Sequence, residues 1–474
     1  MLKDKNQQVQ GAAEDAQRIA EEKRQAALRK SVAAYQKPKS EAIAAQLERY
    51  KDQKFGLMVH WGLYNQLGIK ESWPLVGQDE WARWQFKEGT SLREVREMYA
   101  QLHRGFLPLR FDPKEWAELA FAAGFRYLVF TAKHHDGFCM WDTATTDYKV
   151  TGKDVPWREH PYADITRALF DAFREKGMEI SLYYSRADFD CPYYWEPGYA
   201  EREDSLRLPS YKPEEKPELW ENFQKFVFAQ LDELVSNYGK INSLWYDGGC
   251  DGVALGLPEM TERLREKQPW MLSVIRSQRG YEDVITPELF VPDTPLDAPF
   301  EVCTVMGKPR QGEEYISFGY TYDQDYMSAK EVAHLLLDVV AKGGNLALNL
   351  APQPDGRLPE RAVRELHVLA KWMAVFGDAI HGTRAVAPYR TDKWAFSATK
   401  DGKRVNAFYL WDEGEIAPAC LTVPYDGEVR TVRDMRSGRS LAFERRDGGI
   451  CIMLPAEQVG RAGDIADCYV IERC

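Results

Sequence analysis

Tyr127-Leu128-Val129-Phe130-Thr131, followed after Ala132 by Lys133-His134-His135-Asp136-Gly137-Phe138, is the stretch on which the fold of this chain turns. The first run is β-branched and aromatic and reads as a buried strand. The second is ionisable, and such groups are costly in a packed core unless partnered, so they belong at an open strand end. The chain repeats the arrangement. Phe55 to Val59 runs into His60-Trp61-Gly62. Asp164, a plausible N-cap, precedes Ile165, Ala168, Leu169, Ala172 and Phe173, an amphipathic helical stripe that leads to the strand Glu179 to Ser185. A long helix from Leu219 to Val235 leads to Ile241–Asp247, and Met271 to Arg276 and Glu301 to Val305 are further strand candidates. Val332, Leu335, Leu336, Val339 and Val340 mark a helix before the strand Gly344 to Leu350, and Glu360 to Val375 closes the series. Strands alternating with helices on this scale predict a parallel sheet closed into a (β/α)8-type barrel.

Two other segments flank it. Residues 1–40 are rich in Ala, Gln, Glu, Lys and Arg and read as a solvated N-terminal helical arm to which no chemistry is assigned. The barrel is expected over 41–384. From 385 to 474, short strand-like runs (394–399, 404–410, 420–423, 429–434, 450–454, 467–471) separated by Gly-containing turns predict an antiparallel β-sandwich.

The net charge of −11 disfavours nucleic acid and anionic membrane surfaces as partners, and no apolar run is long enough to span a bilayer. A polar small molecule fits better. The eight cysteines show no C-x-x-C spacing, so neither a zinc site nor a disulfide framework is expected and reduced thiols are the default. With no signal-peptide pattern visible, the chain reads as cytoplasmic as written, or as periplasmic or secreted if an export signal belongs to it. The pattern carries no oligomer signal.

In a parallel barrel the active site lies at the C-terminal strand ends, which here gather His60, His134, His135, Tyr183, Trp245, Asp247, Arg276 and Asn349. Any one of these alone would pass for a satisfied structural residue. Together they do not, since three of only eight histidines fall at two strand ends. Period two turns Ser243, Trp245 and Asp247 to one face, and Ser181, Tyr183 and Ser185 likewise. A carboxylate beside an indole and a phenol suits a sugar, whose apolar face stacks on rings while its hydroxyls meet polar groups. A metal-dependent hydrolase using His134, His135, Asp136 and Asp247 is the weaker alternative, because adjacent strand residues point to opposite faces; no metal or cofactor is expected. Glycoside hydrolysis needs two carboxyl groups, one ionised and one protonated. Asp247 is the first, and Glu71, Glu288 and Glu301 are candidates for the second.

Five stretches, Phe55 to Tyr64, Lys133 to Phe138, Leu182-Tyr183-Tyr184-Ser185, Leu244 to Gly248 and Gly343 to Asn349, occur in the order seen in α-L-fucosidases of glycoside hydrolase family 29. The chain resembles that family from about residue 50 to 376. The resemblance implies a barrel followed by a β-sandwich and a retaining, metal-free double displacement on terminal α-L-fucose of fucosylated oligosaccharides or glycoconjugates, with Asp247 as nucleophile. It further implies that His60, Glu71, His134 and His135 bind sugar hydroxyls, that Tyr183, Trp245 and Arg276 line the pocket, and that Phe318 meets the C5 methyl of fucose. For the acid/base, Thr286-Pro287-Glu288 resembles one family segment and Phe300-Glu301-Val302-Cys303 another. Glu288 is favoured, because it falls in a loop able to swing over the leaving group whereas Glu301 begins a strand. Two other readings stand beside this one: an α-L-galactosidase-like hydrolase of the same family, and a carbohydrate-binding protein that has kept the scaffold without catalysis.

Overall fold

The structure, a computed structural model, describes residues 21–199, 202, 207–276, 281–309 and 316–473. The apolar runs become strands because both of their faces are covered. β1 (Phe55–Val59), β2 (Tyr127–Lys133), β3 (Glu179–Ser185), β4 (Ser243–Asp247), β5 (Leu272–Ile275), β6 (Val284–Ile285), β7 (Glu301–Val305) and β8 (Asn345–Asn349) pair in parallel in the order β6-β5-β4-β3-β2-β1-β8-β7. The sheet's two edges meet through single parallel bridges, Ile285 to Phe300 and Glu288 to Cys303. The second bridge consists of Cys303 N–H donating to Pro287 O at 3.0 Å and Leu289 N–H donating to Cys303 O at 2.9 Å. The barrel therefore closes, as the alternating pattern predicts. β6 is the strand the pattern does not predict, since two residues carry no period.

Period-two alternation sorts the side chains. Met58, Tyr127, Val129, Tyr183, Trp245, Val274, Cys303 and Ala347 fill the interior. Leu57, Phe130, Leu182, Tyr184, Leu244 and Tyr246 face the helices and join the main core. Those helices are α3 (Leu92–Tyr99), α4 (Pro113–Ala122), α5 (Ile165–Glu175), α6 (Pro217–Asn237), α7 (Leu257–Arg265), α8 (Ala329–Ala341) and α9 (Glu360–Phe376). α5 starts at Asp164, whose Oδ1 accepts from Arg167 N–H at 3.0 Å and satisfies one otherwise orphaned donor.

Among the described residues, two helices precede the barrel. α2 (Glu41–Gln53) plugs its N-terminal end, with Ile43, Leu47 and Tyr50 belonging to the interior cluster. The described part of the N-terminal arm, residues 21–34, is α1, and it is not wholly solvated: one edge docks on the barrel domain. Leu28 is 3% exposed and part of the main core, Gln25 is 5% exposed, and Val32 and Tyr35 pack against that core. The weak apolar face hides this docking, because one buried leucine and one buried amide suffice. Residues 1–20 of the expected arm lie outside the described residues.

The C-terminal part forms two antiparallel sheets around a shared core. One runs β14-β13-β17-β11-β10-β9, from β9 (Thr383–Arg390), β10 (Trp394–Thr399), β11 (Arg404–Leu410), β13 (Thr431–Asp434), β14 (Ser440–Leu441) and β17 (Ala466–Glu472); the other runs β12-β16-β15, from β12 (Cys420–Val423), β15 (Phe443–Arg446) and β16 (Gly449–Met453). β9, β14 and β15 are the strands that the pattern omits. All three are edge strands, half exposed or charged as edges must be to resist pairing with other chains, and so they carry little hydrophobic signal. Pairing of β12 with β16 brings Cys420 and Cys451 together in a disulfide with Cα atoms 6.2 Å apart. This corrects the expectation of reduced thiols for that pair, since residues 31 apart in sequence give no hint of strand adjacency. Cys139, Cys191, Cys250, Cys303 and Cys468 are free and buried. Among the described residues no helix is long and apolar enough to cross a membrane.

The sandwich is locked to the barrel by buried polar contacts as well as apolar ones. Ser397 Oγ and Asn406 Nδ2 donate to Ala379 O at 2.8 and 3.2 Å, and Trp372 of α9 donates through Nε1 to Ala466 O at 2.9 Å. The Trp372 ring also packs 5.3 Å from Phe376 and 6.2 Å from Phe408 of β11. Replacing Trp372 with Ala is expected to lower the unfolding free energy by about 3–5 kcal/mol, through the cavity and the unpaired carbonyl, as read by denaturant titration.

Candidate active site

Asp247 sits at the tip of β4, where Gly248 and Gly249 adopt φ of +50° and +77°. Gly248 is required by its neighbour, because a Cβ there would lie 2.4 Å from His135 Cε1. This close approach puts His135 Nε2 3.9 Å from Asp247 Oδ2. Tyr183, on the adjacent β3, donates its hydroxyl to the same oxygen. Oδ1 accepts from Gly248 N–H at 2.7 Å and from Arg276 Nη1 at 3.1 Å. Arg276 follows β5 directly, and its N–H donates to Tyr246 O at 3.0 Å, so strand pairing carries it to Asp247. Through Nε the same guanidinium pairs with Glu288.

One cation thus grips two carboxylates, and their acidities part. Burial pushes Asp247 up, but Arg276, His135 and the Tyr183 hydroxyl outweigh it and hold the group well below the usual carboxylate range. Glu288 moves the other way: removal from water raises it, Arg276 opposes this, and the charges of Asp247 and Glu71 add to the rise. One carboxyl stays ionised while its neighbour keeps a proton more readily.

The three histidines stand around this pair with their outer nitrogens fixed. Asn349, at the end of β8, donates Nδ2 to Phe318 O at 2.6 Å, which turns its Oδ1 toward His60; there it accepts from His60 N–H at 3.0 Å and Nδ1–H at 2.8 Å. Ser185 donates its hydroxyl to Ala187 O at 2.7 Å and must therefore accept from His135 Nδ1–H. His60 and His135 consequently present Nε2 as an acceptor, and that of His135 is buried with no partner. His134 Nδ1 meets Ser72 Oγ at 2.6 Å, and Ser72 also accepts from Asp136 N–H at 3.0 Å. Burial drives His60 and His135 down to about 4, and burial together with the neighbouring His135 and His60 holds His134 well below its ordinary range.

His134 and His135 lie beyond the end of β2, after a register shift between Thr131 and Lys133, with ring centroids 4.1 Å apart. Both turn inward, which corrects the expectation that neighbours here point to opposite faces. His134, His135 and Asp247 bring ligand atoms within 4.8 Å of one another. The donor set still suits a sugar better than an ion, because both oxygens of Asp247 already accept hydrogen bonds and the Arg276 charge opposes a second cation. Lys133 points away from the site and is fully buried against Asp188, Tyr184 and Gln230, while Asp136 accepts from Tyr99. Both support the shell from outside.

Glu71, at φ +36°, accepts from Ser317 Oγ at 2.6 Å and from Gly319 N–H, and so holds the loop that carries Phe318. The Phe318 ring lies 5.0 Å from that of His60. Trp245 stacks on Tyr183 at 5.2 Å. Its Nε1 donates at 2.9 Å to Glu301, whose other oxygen takes the hydroxyls of Tyr50 and Tyr127. Glu301 therefore sits at the opposite, N-terminal end of the barrel and does not join Asp247. The expected swing of Glu288 is corrected too, since its backbone is bridged to Cys303. Ser72 and Ser185 are the positioning residues that motif reading passes over; the inward parity of Ser185 is the one signal available.

His60 and His135, at about 4 in the folded chain against 6.5 unfolded, add no penalty above 6.5 and cost stability as pH falls through the interval between the two values. Denaturant titrations are expected to show unfolding free energy declining from pH 6.5 toward pH 4, with a shallower slope in the His60→Gln/His135→Gln double variant.

Residues 22–378 match the family model described as Alpha-L-fucosidase. The tissue alpha-L-fucosidase of Rattus norvegicus is 28% identical over 395 residues, covering 77% of each chain, and the plasma alpha-L-fucosidase of Homo sapiens is 28% identical over 403 residues with the same coverage. Among solved structures, alpha-L-fucosidase isoenzyme 1 from Paenibacillus thiaminolyticus superposes with a TM-score of 0.74 at 27% identity, over 91% of this chain and 99% of that one. The Thermotoga maritima alpha-fucosidase, solved with a mechanism-based inhibitor, gives a TM-score of 0.71 at 24% identity and shares the fold. By its sequence and by the barrel that carries the Asp247 and Arg276 site, this chain belongs to the α-L-fucosidase family.

Proposed function

We propose that the chain is a retaining exo-α-L-fucosidase acting on fucosylated oligosaccharides or glycoconjugates, with Asp247 as nucleophile and Glu288 as acid/base. The observation that carries the assignment is the single guanidinium of Arg276 bound to both carboxylates while their acidities shift in opposite directions. Asp247 attacks C1 of the fucosyl unit as Glu288 protonates the departing oxygen. The resulting fucosyl-aspartate ester is hydrolysed by water that Glu288, now ionised, deprotonates. Two carboxylates held on one side-chain head group favour the close spacing of a retaining enzyme, about 5–5.5 Å, over the wider gap that an inverting enzyme needs for its water.

His60 and His135, each offering a neutral acceptor, receive hydroxyl protons of the sugar, and His134 completes the polar arc. Phe318, packed against His60, meets the C5 methyl that distinguishes fucose from galactose. The Cys420–Cys451 disulfide supports an oxidising location, periplasmic or extracellular, over a cytoplasmic one.

Asp247→Ala is expected to lower turnover of an aryl α-L-fucoside by at least about 10³-fold, and azide should restore it as a glycosyl azide. Glu288→Ala should cost about 10²–10⁴-fold with a poor leaving group and far less with an activated one. Normal turnover by the Asp247 variant would refute the assignment. Phe318→Ala should reduce the preference for α-L-fucoside over α-L-galactoside by about 10-fold, the scale of one lost methyl contact, as read from the two kcat/KM values.

A further inference from the structure

We propose that Gln25, on the N-terminal helix α1, is a positioning residue for Glu288; the inference rests on the reading of Glu288 as acid/base. Glu288 lies within a segment running from Asp283 to Asp293 that opens with β6 paired to β5 and, past that strand, meets the edge of β7. Around Glu288 itself the backbone is held by the bridge of Pro287 and Leu289 to Cys303. Directly after Glu288 the chain takes a conformation that a branched side chain adopts only where its neighbours hold it, with Leu289 at φ +61°.

The holder on the far side is α1. Gln25 Nε2 donates to Val291 O at 3.1 Å, and Gln25 Oε1 accepts from Asp293 N–H at 3.4 Å. The amide thus holds a backbone carbonyl and a backbone N–H two and four residues past the strained residue, as a neighbouring strand would. It is 5% exposed, and its second N–H goes to Glu21 at 2.8 Å, which fixes its orientation. Farther along, the Tyr35 hydroxyl donates to Asp283 O at 3.3 Å, at the other end of the same segment. Leu28, 3% exposed, anchors the helix in the main core between these two grips. The arm therefore spans the segment that carries Glu288.

Without Gln25 the strain at Leu289 relaxes by moving the segment, and Glu288 moves with it. Proton delivery to the leaving group suffers, whereas attack by Asp247 on β4 does not. The test measures kcat of the full chain and its Gln25→Ala variant on aryl α-L-fucosides from phenyl to 2,4-dinitrophenyl, with Glu288→Ala as reference. Gln25→Ala is expected to lose about 10-fold with the phenyl substrate and less than about 2-fold with the dinitrophenyl one, and to shift the basic limb of its pH profile. Leu289→Gly, which frees that position from strain, should return most of the loss in the double variant. If Gln25→Ala fails to fold, Gln25→Glu, which keeps the acceptor for Asp293 N–H but loses the donor to Val291 O, should show the same leaving-group signature. A uniform loss across leaving groups, or none, beside a steep dependence in Glu288→Ala overturns the clamp alone. A flat response in both variants overturns the acid/base reading and the clamp with it.

Discussion

Arg276 between Asp247 and Glu288 is the interaction from which the rest of the site follows. One positive charge cannot fully compensate two carboxylates in a cleft with little water, so the pair retains a proton more readily than either group would alone. Where that proton sits is decided by the hydrogen bonds each carboxylate receives. Asp247 takes donors from Gly248 N–H, Tyr183 and Arg276, whereas Glu288 pairs through one oxygen with Arg276. The member supplied with more donors ionises and the other keeps a proton more readily. Strand order makes this possible, since the pairing of β4 with β5 sets Arg276 beside Asp247, and closure of β6 onto β7 brings the Glu288 segment to the same rim.

The surrounding histidines obey a similar logic of donors already committed. A serine that gives its proton to a backbone carbonyl can only accept from imidazole, and an asparagine oriented by a neighbouring carbonyl can only show its oxygen. Ser185 and Asn349 thereby set the tautomers of His135 and His60. Burial then keeps both rings neutral across the physiological range. The pocket is built to receive hydroxyl protons, which a polyol supplies and a bare anion does not.

Much of this is legible in the chain itself. Asp247, the three histidines, Tyr183 and Trp245 all lie at strand tips or on inward faces, where period two and the rule for barrel sites find them. What stayed hidden depends on contacts between segments distant in sequence. Nothing in Phe300-Glu301-Val302 tells that Tyr50, some 250 residues earlier, hydrogen-bonds this glutamate. The docking of α1 through Leu28 and Gln25 is hidden for the same reason, as is the Cys420–Cys451 bond. A polar, helix-favouring composition describes the exposed faces of α1 and says nothing of the one buried edge.

Glu301 and Glu288 show how partners decide the fate of one residue type. Both are raised by burial. Glu301 meets two phenols and an indole, three neutral donors that satisfy both oxygens and leave no vacancy for a substrate proton. Its role is mechanical: it fixes the indole of Trp245, on which Tyr183 stacks, and Tyr183 in turn donates to Asp247. A column of contacts thus rises through the barrel from a saturated carboxylate to a reactive one. Glu288 has a cation and two other carboxylates in its field and stands about a quarter exposed at the rim. Unsaturated and mobile in charge, it can exchange a proton with a leaving group, and that difference in supplied donors, rather than any difference in the amino acid, separates the structural glutamate from the catalytic one.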